Sequence, residues 1–157
     1  MKIFIDTEFT DFIDCHLISL GMVTEHGEEF YAEVPYPDKA CSAFVREVVI
    51  PLLGKDPNAH CEKDMLQSRI LDWLKLVRPD NEHIELCYDY QTDLDLFADA
   101  LDGRIPLYIQ ARLVNSKISE FLLVLFWENN PSLNRHHALH DAKANAYAFR
   151  ELPMKRN

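Results

Sequence analysis

The pattern of apolar and polar residues in the first part of the chain predicts three β-strands. Residues 2–9 (KIFIDTEF) and 16–25 (HLISLGMVTE) are largely apolar runs, and residues 29–34 (EFYAEV) form a third. The polar segment HGEE separates the second run from the third and is typical of a turn. The three strands are therefore predicted to form an antiparallel meander.

The rest of the chain alternates between helix-like and strand-like patterns. Apolar residues recur at helical spacing in several segments, and Gly103 is a typical helix stop. The predicted elements are helices over 42–53 and 62–77, a strand over 83–90, a helix over 92–103, a strand over 105–114, a buried helix over 119–130 and an Ala-rich helix over 140–152. We therefore predict one α/β domain over residues 1–157. Its five-stranded mixed sheet, three antiparallel strands and then two parallel ones, is flanked by helices and resembles ribonuclease H.

Length and composition agree with one domain that has its own core. The chain has 157 residues, of which 48% are hydrophobic, an ordinary value for a globular protein. No apolar run approaches the roughly 20 residues needed to span a bilayer, and the first residues lack the form of a secretory signal. We expect a cytoplasmic protein without a membrane segment. Its cysteines form no CxxC pair, which favours buried, reduced thiols over zinc or redox chemistry; they are Cys15, Cys41, Cys61 and Cys87.

The charge of the chain limits how it can contact nucleic acid. The formal net charge is -10, whereas broad electrostatic binders of nucleic acid are normally basic. An enzyme that binds only one end of a nucleic-acid strand is still compatible with this charge, because bound metal ions and a few Arg or Lys residues can neutralise the phosphates. Any contact with nucleic acid is therefore expected to be small, local and metal-dependent.

Two acids interrupt the first predicted strand. Asp6 and Glu8 are two positions apart, so their side chains leave the strand on the same face. Carboxylates this close repel each other unless a cation keeps both ionised, and oxygen ligands suit Mg²⁺ or Mn²⁺. The alternative is a strand end at which both acids are hydrated.

Three residues further along the chain can complete a metal site. His136 and Asp141 lie five positions apart near the start of the Ala-rich helix, although Asp141 is also a favourable charge at a helix N-terminus. Asp93 shares a helical face with the apolar residues Leu96 and Phe97. A carboxylate on that inward face is costly unless it is paired or bound to metal.

The segments DTEFTDF, LISLGMV and HHALHDA, with an Asp on a helix after the fourth strand, resemble the DEDDh exonucleases. The resemblance runs in order over most of the chain. Within that group the layout resembles most a bacterial 3'-5' exoribonuclease domain related to ribonuclease T. The resemblance implies that the catalytic acids are Asp6, Glu8, Asp93 and Asp141 and that His136 is the catalytic histidine.

One position departs from the family pattern. Relatives usually carry an Asn four residues before the third acid, where this chain has Asp89. An aspartate at this position is either an additional acid around the ions or a sign that Asp93 is not the third acid.

The resemblance also implies a mechanism, the hydrolysis of phosphodiester bonds from a free 3' end with two Mg²⁺ or Mn²⁺ ions. It implies that Asp6 bridges both ions, that Glu8 and Asp141 ligate the first, and that Asp93 positions the second through water. His136 is then suited to take the proton from the attacking water, because its ordinary pKa is near 6.5. The expected products are nucleoside 5'-monophosphates.

The expected partner is the 3' end of an RNA, single-stranded or as an overhang. Family members wedge the terminal base against apolar side chains just after the first two acids, which here are Phe9 and Phe12. Thr7 and Thr10 are candidates to meet the terminal sugar, and Arg135 to hold a phosphate. The alternatives are core packing for the two Phe residues and an ordinary surface position for Arg135.

Two other functions remain open at this point. The first is a DEDDh exonuclease that acts on DNA, and the second is an inactive ribonuclease H-like module that binds nucleic acid. A homodimer is also open, because relatives often pair through helices near the site. The apolar helix over 119–130 is a candidate interface, but burial in the monomer core is the favoured interpretation.

Overall fold

The computed structural model describes residues 1–80 and 82–151. Its strands are β1 (Lys2–Phe9), β2 (Leu17–Thr24), β3 (Glu29–Glu33), β4 (Ile84–Tyr88) and β5 (Ile109–Leu113). Its α-helices are α1 (Lys63–Val77), α2 (Gln91–Ala100), α3 (Glu120–Asn129) and α4 (Ala138–Ala148). Among these residues, no helix combines the length and the apolar character that crossing a membrane requires.

The five strands form one sheet in the order β3-β2-β1-β4-β5. β2 is antiparallel to both β1 and β3, whereas β4 is parallel to both β1 and β5. The predicted fold class, a mixed sheet flanked by helices, is confirmed. Because β1 and β4 run in the same direction, their carboxyl ends meet at one edge of the sheet.

Helices cover both faces of the sheet, and the alternation of side chains along β1 divides the core in two. Ile3 and Ile5 join the larger apolar cluster, which α1 and α2 close, whereas Phe4 packs with Ala142 of α4 on the opposite face. By the same alternation, Asp6 and Glu8 lie on the α4 side and Thr7 on the α2 side. β1 thus presents acids towards α4 from an otherwise buried strand.

Two predicted elements differ from those observed because of their prolines. Residues 42–53 are not one regular α-helix: a wide helical turn over Val45–Val49 is followed by a 3₁₀ turn over Ile50–Leu52. Pro51 lies at the start of that 3₁₀ turn and offers no N–H to continue an α-helix. The fifth strand begins at Ile109 rather than 105, because Pro106 lies in the preceding turn and accepts a hydrogen bond from the N–H of Ile109.

The prediction that helix 119–130 is buried is wrong. Only Phe126 of α3 is buried, and Phe121 and Val124 are 69% and 49% exposed. α3 packs mainly against α4, and no second layer formed by the described residues covers its outer face. An almost uniformly apolar sequence does not reveal which of its sides is covered.

The last helix and the cysteines need smaller corrections. α4 begins at Ala138 rather than 140 and ends at Ala148; Leu152, the predicted last residue, lies outside the described residues. The four cysteines are unpaired, and three of them are buried as predicted, but Cys15 is half-buried.

Candidate active site

The predicted site residues converge on one pocket of about 560 Å³ at the carboxyl ends of β1 and β4. Asp6, Glu8, Asp93, His136 and Asp141 all line it. They come from four parts of the chain, namely β1, the first turn of α2, the loop before α4 and the first turn of α4. The structure therefore brings together the five residues that the motifs predict.

The potential ligand atoms fall into two adjacent groups. One contains Glu8, His136 and Asp141, and the other contains Asp6, Asp89 and Asp93; within each group the atoms lie within 4.8 Å of one another. Asp89, which the sequence left open, thus lies among the acids. His136 offers a ring nitrogen close to two carboxylates, so its predicted role as a base and a role as a ligand are both sterically available.

Gly21 allows the first turn of α4 to approach the sheet. This residue of β2 pairs with Asp6 of β1. A Cβ at position 21 would lie 2.3 Å from the backbone nitrogen of Leu139 and 2.4 Å from the carbonyl carbon of Ala138. Only a residue without a side chain fits there, and the close approach places Asp141 opposite the β1 acids.

Thr7 orients Asp93. Its backbone N–H and its hydroxyl donate hydrogen bonds to Oδ1 of Asp93 at 3.0 and 2.6 Å. Asp93 is only 3% exposed, so these bonds satisfy an oxygen that burial would otherwise leave without a donor. Thr7 lines the pocket, but because its hydroxyl proton is donated to Asp93, its hydroxyl could meet a sugar only as a hydrogen-bond acceptor.

His136 is held in an unusual backbone conformation beside Asp141. Its φ is +61°, in the left-handed region that non-glycine residues seldom occupy. Its N–H donates to Oδ2 of Asp141 at 2.7 Å, and its ring meets the Phe44 ring edge-on at 5.0 Å. The imidazole, which is only partly covered, is therefore fixed beside the site through both its backbone and its ring.

Burial, and then repulsion between neighbouring carboxylates, raises the pKa values of the acids in the site. Burial and repulsion from Asp141 and Asp93 raise the pKa of Glu8 to about 8. Burial also raises the pKa of Asp93 to about 7 and that of Asp141 to about 6, against the hydrogen bonds that they accept. For Asp6, burial and then repulsion from Asp93, Asp141, Glu8 and Asp89 hold the pKa well above its ordinary value.

This donor set fits a hard divalent cation. Six acids line the pocket, namely Asp6, Glu8, Asp11, Asp89, Asp93 and Asp141. Among the described residues, no Lys or Arg lines it. The pKa is raised for five of them, namely Asp6, Glu8, Asp89, Asp93 and Asp141. These five bind protons unless another positive charge is supplied. Carboxylate oxygens are the preferred ligands of Mg²⁺ and Mn²⁺, so these residues can hold metal ions.

Aromatic side chains form the rim of the pocket. Phe12 is 71% exposed, and its ring meets those of Phe9 and Tyr90 edge-on at 5.1 and 5.9 Å. Phe44 lines the same pocket from the irregular helical segment. Tyr90 and Phe44 were not among the residues predicted from the sequence. Tyr90 directly follows Asp89, which was a usable signal, whereas nothing near Phe44 in the sequence indicates the site.

Two predicted substrate contacts are not at the pocket surface. Thr10 is fully buried; its hydroxyl donates to the carbonyl of Asp14 at 2.5 Å and accepts from the N–H of His16 at 2.9 Å. The prediction that Thr10 meets a sugar is therefore wrong, because its hydroxyl shapes the 10–16 loop. Arg135 lies over the ring of Trp127 at 5.4 Å, outside the pocket lining.

No family model matches the sequence, and a search of curated proteins found no match. Solved structures do match, although at low sequence identity. The nuclease domain of 3'hExo, a DEDDh family member, bound to rAMP, is 17% identical with a TM-score of 0.59, over 92% of this chain and 87% of that one. A full-length 3'-exonuclease is 18% identical with a TM-score of 0.57, over 92% and 77%.

Cell-death related nuclease 4 (CRN-4) is also similar, at 15% identity with a TM-score of 0.60. The match covers 92% of this chain but only 60% of that one. At these identities the comparisons establish architecture. The chain has the ribonuclease H-like fold of DEDDh nuclease domains.

Proposed function

We propose that this protein is a 3'-5' exoribonuclease that requires two divalent cations, Mg²⁺ or Mn²⁺, and releases nucleoside 5'-monophosphates from RNA. The observation that carries the proposal is the pair of adjacent ligand groups in one pocket, at the carboxyl ends of β1 and β4. An inactive binding module would not need to keep five mutually repelling carboxylates together.

The two groups suggest how the ions are shared. Glu8 and Asp141 would hold one ion, and Asp93 would help to hold the other. Asp6 would serve both, as the resemblance to DEDDh exonucleases implies; after burial, four acids drawn from both groups raise its pKa, whereas two act on Glu8. Two such ions, when bound, activate water for attack and stabilise the departing 3' oxygen.

His136 is the residue proposed to take the proton from the attacking water. Partial burial and the neighbouring Arg135 lower its pKa, so the imidazole is neutral and able to accept a proton near pH 7. Its backbone bond to Asp141 keeps it beside one ligand group. Arg135 therefore acts on the histidine through charge, whether or not it also meets a phosphate.

The terminal nucleotide is proposed to stack on the aromatic rim. Phe12 is exposed beside Phe9, and stacking a base on an aromatic side chain contributes about 1–3 kcal/mol without sequence preference. RNA is preferred over DNA in this proposal because the 3'hExo nuclease domain is described with a bound ribonucleotide, rAMP. A DNA-directed exonuclease is the second candidate, supported by the same fold and acids.

The decisive experiment compares a labelled RNA oligomer with a DNA oligomer of the same sequence, in Mg²⁺ and then with EDTA added. We expect nucleoside 5'-monophosphates from the RNA, none after EDTA, and none when the 3' end carries a phosphate. Asp93→Asn should be inactive, and Asp99→Asn, at an exposed position of the same helix, should match the native chain. If no nucleotide is released from either oligomer, the proposal that the protein is an exonuclease is overturned. If nucleotides are released equally from RNA and DNA, the proposed preference for RNA is overturned.

Two further expectations remain proposals. A homodimer would use the exposed outer face of α3, where Phe121 and Val124 lie, and light scattering would measure its mass. The cytoplasmic location is proposed as well, and fractionation of cells that produce the protein would test it.

A further inference from the structure

We infer that Asp89 is a direct ligand of the ion that Asp6 and Asp93 hold, which makes it a fifth carboxylate of the metal site. This inference rests on the proposed function and deepens it. It assigns a role to the position at which the chain departs from the DEDDh pattern.

The strand register places Asp89 beside Asp6. β1 and β4 pair in parallel with Phe4 opposite Cys87, so the same register continued by two residues sets Asp6 against Asp89. Carboxylate oxygens of both lie within 4.8 Å of one another and of an oxygen of Asp93. The three acids thus surround one point from two strand ends and the first turn of α2.

An unpartnered oxygen of Asp89 independently indicates a ligand. Oδ1 of Asp89 is buried, and no described residue donates a hydrogen bond to that atom. The Asn145 side chain does lie near the Asp89 carboxylate, and it opposes the increase in the pKa of Asp89 that burial causes. Leaving a buried acceptor unsatisfied costs about 1–3 kcal/mol, and more for a charged group. Oδ1 of Asp93, in contrast, already accepts two bonds from Thr7. Asp89 therefore has an oxygen in need of a positive partner at the place where a cation would lie.

A shared proton is the competing explanation. Asp89 could stay protonated and donate a hydrogen bond to Asp6 or Asp93, which would be a structural role. The two roles differ in what an amide does at this position. Asn has the same shape and supplies an N–H donor, so it preserves a structural hydrogen bond but removes a negatively charged ligand.

The test measures Mn²⁺ binding to the full chain without nucleic acid, from the electron paramagnetic resonance signal of the unbound ion. The native chain should bind two ions. Asp89→Asn should weaken one of the two binding steps by more than the roughly 10–100-fold found when a residue that only orients a metal ligand is replaced, and leave the other step unchanged. Asp99→Asn, the same change at an exposed position of α2, should leave both steps unchanged.

Asp89→Ala, which removes the carboxylate oxygens altogether, should weaken the same step at least as much. Unchanged binding of both ions in Asp89→Asn overturns the inference and leaves the proposed function intact. If the native chain binds no Mn²⁺, both the inference about Asp89 and the proposed function are overturned. Thermal unfolding provides a second readout, since the Mn²⁺-dependent rise in Tm should shrink in Asp89→Asn while the metal-free Tm does not fall.

Discussion

Thr7 and Asp93 are joined by two hydrogen bonds to a single oxygen, at 3.0 Å from the backbone N–H and 2.6 Å from the hydroxyl of Thr7. The pair links the α2-facing side of β1 to the first turn of α2. Because Oδ1 of Asp93 accepts both bonds, the carboxylate is held in one orientation at the pocket. Thr7 is therefore a positioning residue.

Thr7→Val is expected to weaken Mn²⁺ binding by about 10-fold or more, the scale found when a residue that orients a metal ligand is replaced. The substitution keeps the shape of the side chain but removes the hydroxyl donor. Thr7→Ser keeps the donor and should bind Mn²⁺ like the native chain. Equal Mn²⁺ affinity in Thr7→Val and the native chain would show that the backbone N–H alone orients Asp93.

The strands and the β1 acids could be predicted because they depend on local periodicity. The alternation of side chains along an apolar strand was enough to place Asp6 and Glu8 on one face, and the structure agrees. Asp93 could be assigned to a buried face because it falls in register with the apolar residues of its helix. Both positions follow from the spacing of apolar and acidic residues along the chain, which can be read directly from the sequence.

The other features of the fold and the site depend on tertiary contacts, which the spacing of residues along the chain does not specify. Thr10 and Phe12 both follow the β1 acids in sequence, yet one is fully buried and the other is exposed at the pocket rim. Phe44 reaches the pocket from a segment that looked like an ordinary helix. The exposure of α3 likewise depends on what packs beside it, which its uniformly apolar sequence does not specify.

Asp6→Asn is expected to abolish hydrolysis while the fold survives. The amide has the same shape as the carboxylate but cannot serve as an anionic ligand. The hydrolysis rate should therefore fall by about 10²-fold or more, comparable to removing one preorganised electrostatic group. Because four other acids repel Asp6, the metal-free variant should melt at or above the native Tm. A lower metal-free Tm would contradict this account of the electrostatics. Asp95→Asn, at an exposed position of α2, is the matched control.

The stability of the metal-free protein should fall as the pH rises from about 4 to about 8. The pKa is about 8 for Glu8, about 7 for Asp93 and about 6 for Asp141, whereas the unfolded chain releases these protons near pH 4. The folded state binds more protons over this range, so the free energy of unfolding decreases with pH. A loss of 1 kcal/mol lowers the Tm by about 2–4 °C in a domain of this size.

The measurement is a series of thermal unfolding curves in EDTA, repeated with saturating Mn²⁺. Bound Mn²⁺ should make the Tm depend less on pH, because the cations keep the carboxylates ionised. Glu8→Gln should have a shallower slope than the native chain in EDTA, since the carboxylate with a pKa of about 8 is absent. Equal slopes in these two proteins would mean that Glu8 titrates normally.

Gly21→Ala should damage the metal site although Gly21 supplies no ligand atom itself. The new Cβ would overlap backbone atoms of Ala138 and Leu139, and backbone atoms in a helix cannot move aside as a flexible side chain can. We expect a loss of about 1–3 kcal/mol in stability together with weaker Mn²⁺ binding, because the first turn of α4 carries Asp141. Gly27→Ala has a strained φ of +98° but nothing within 4 Å, so it should lose stability without losing metal affinity.

His136→Asn distinguishes a proton acceptor from a metal ligand at a residue whose position allows both roles. As an acceptor, its loss should lower the rate by about 10²–10⁴-fold at saturating Mn²⁺ and leave two ions bound with native affinity. Loss of Mn²⁺ affinity together with activity would instead make it a ligand beside Glu8 and Asp141. Arg135→Gln supplies an independent check. Because Arg135 lowers the pKa of His136, removing its charge should shift the acidic limb of the rate profile to higher pH, and an unmoved limb would exclude His136 as the group that titrates there.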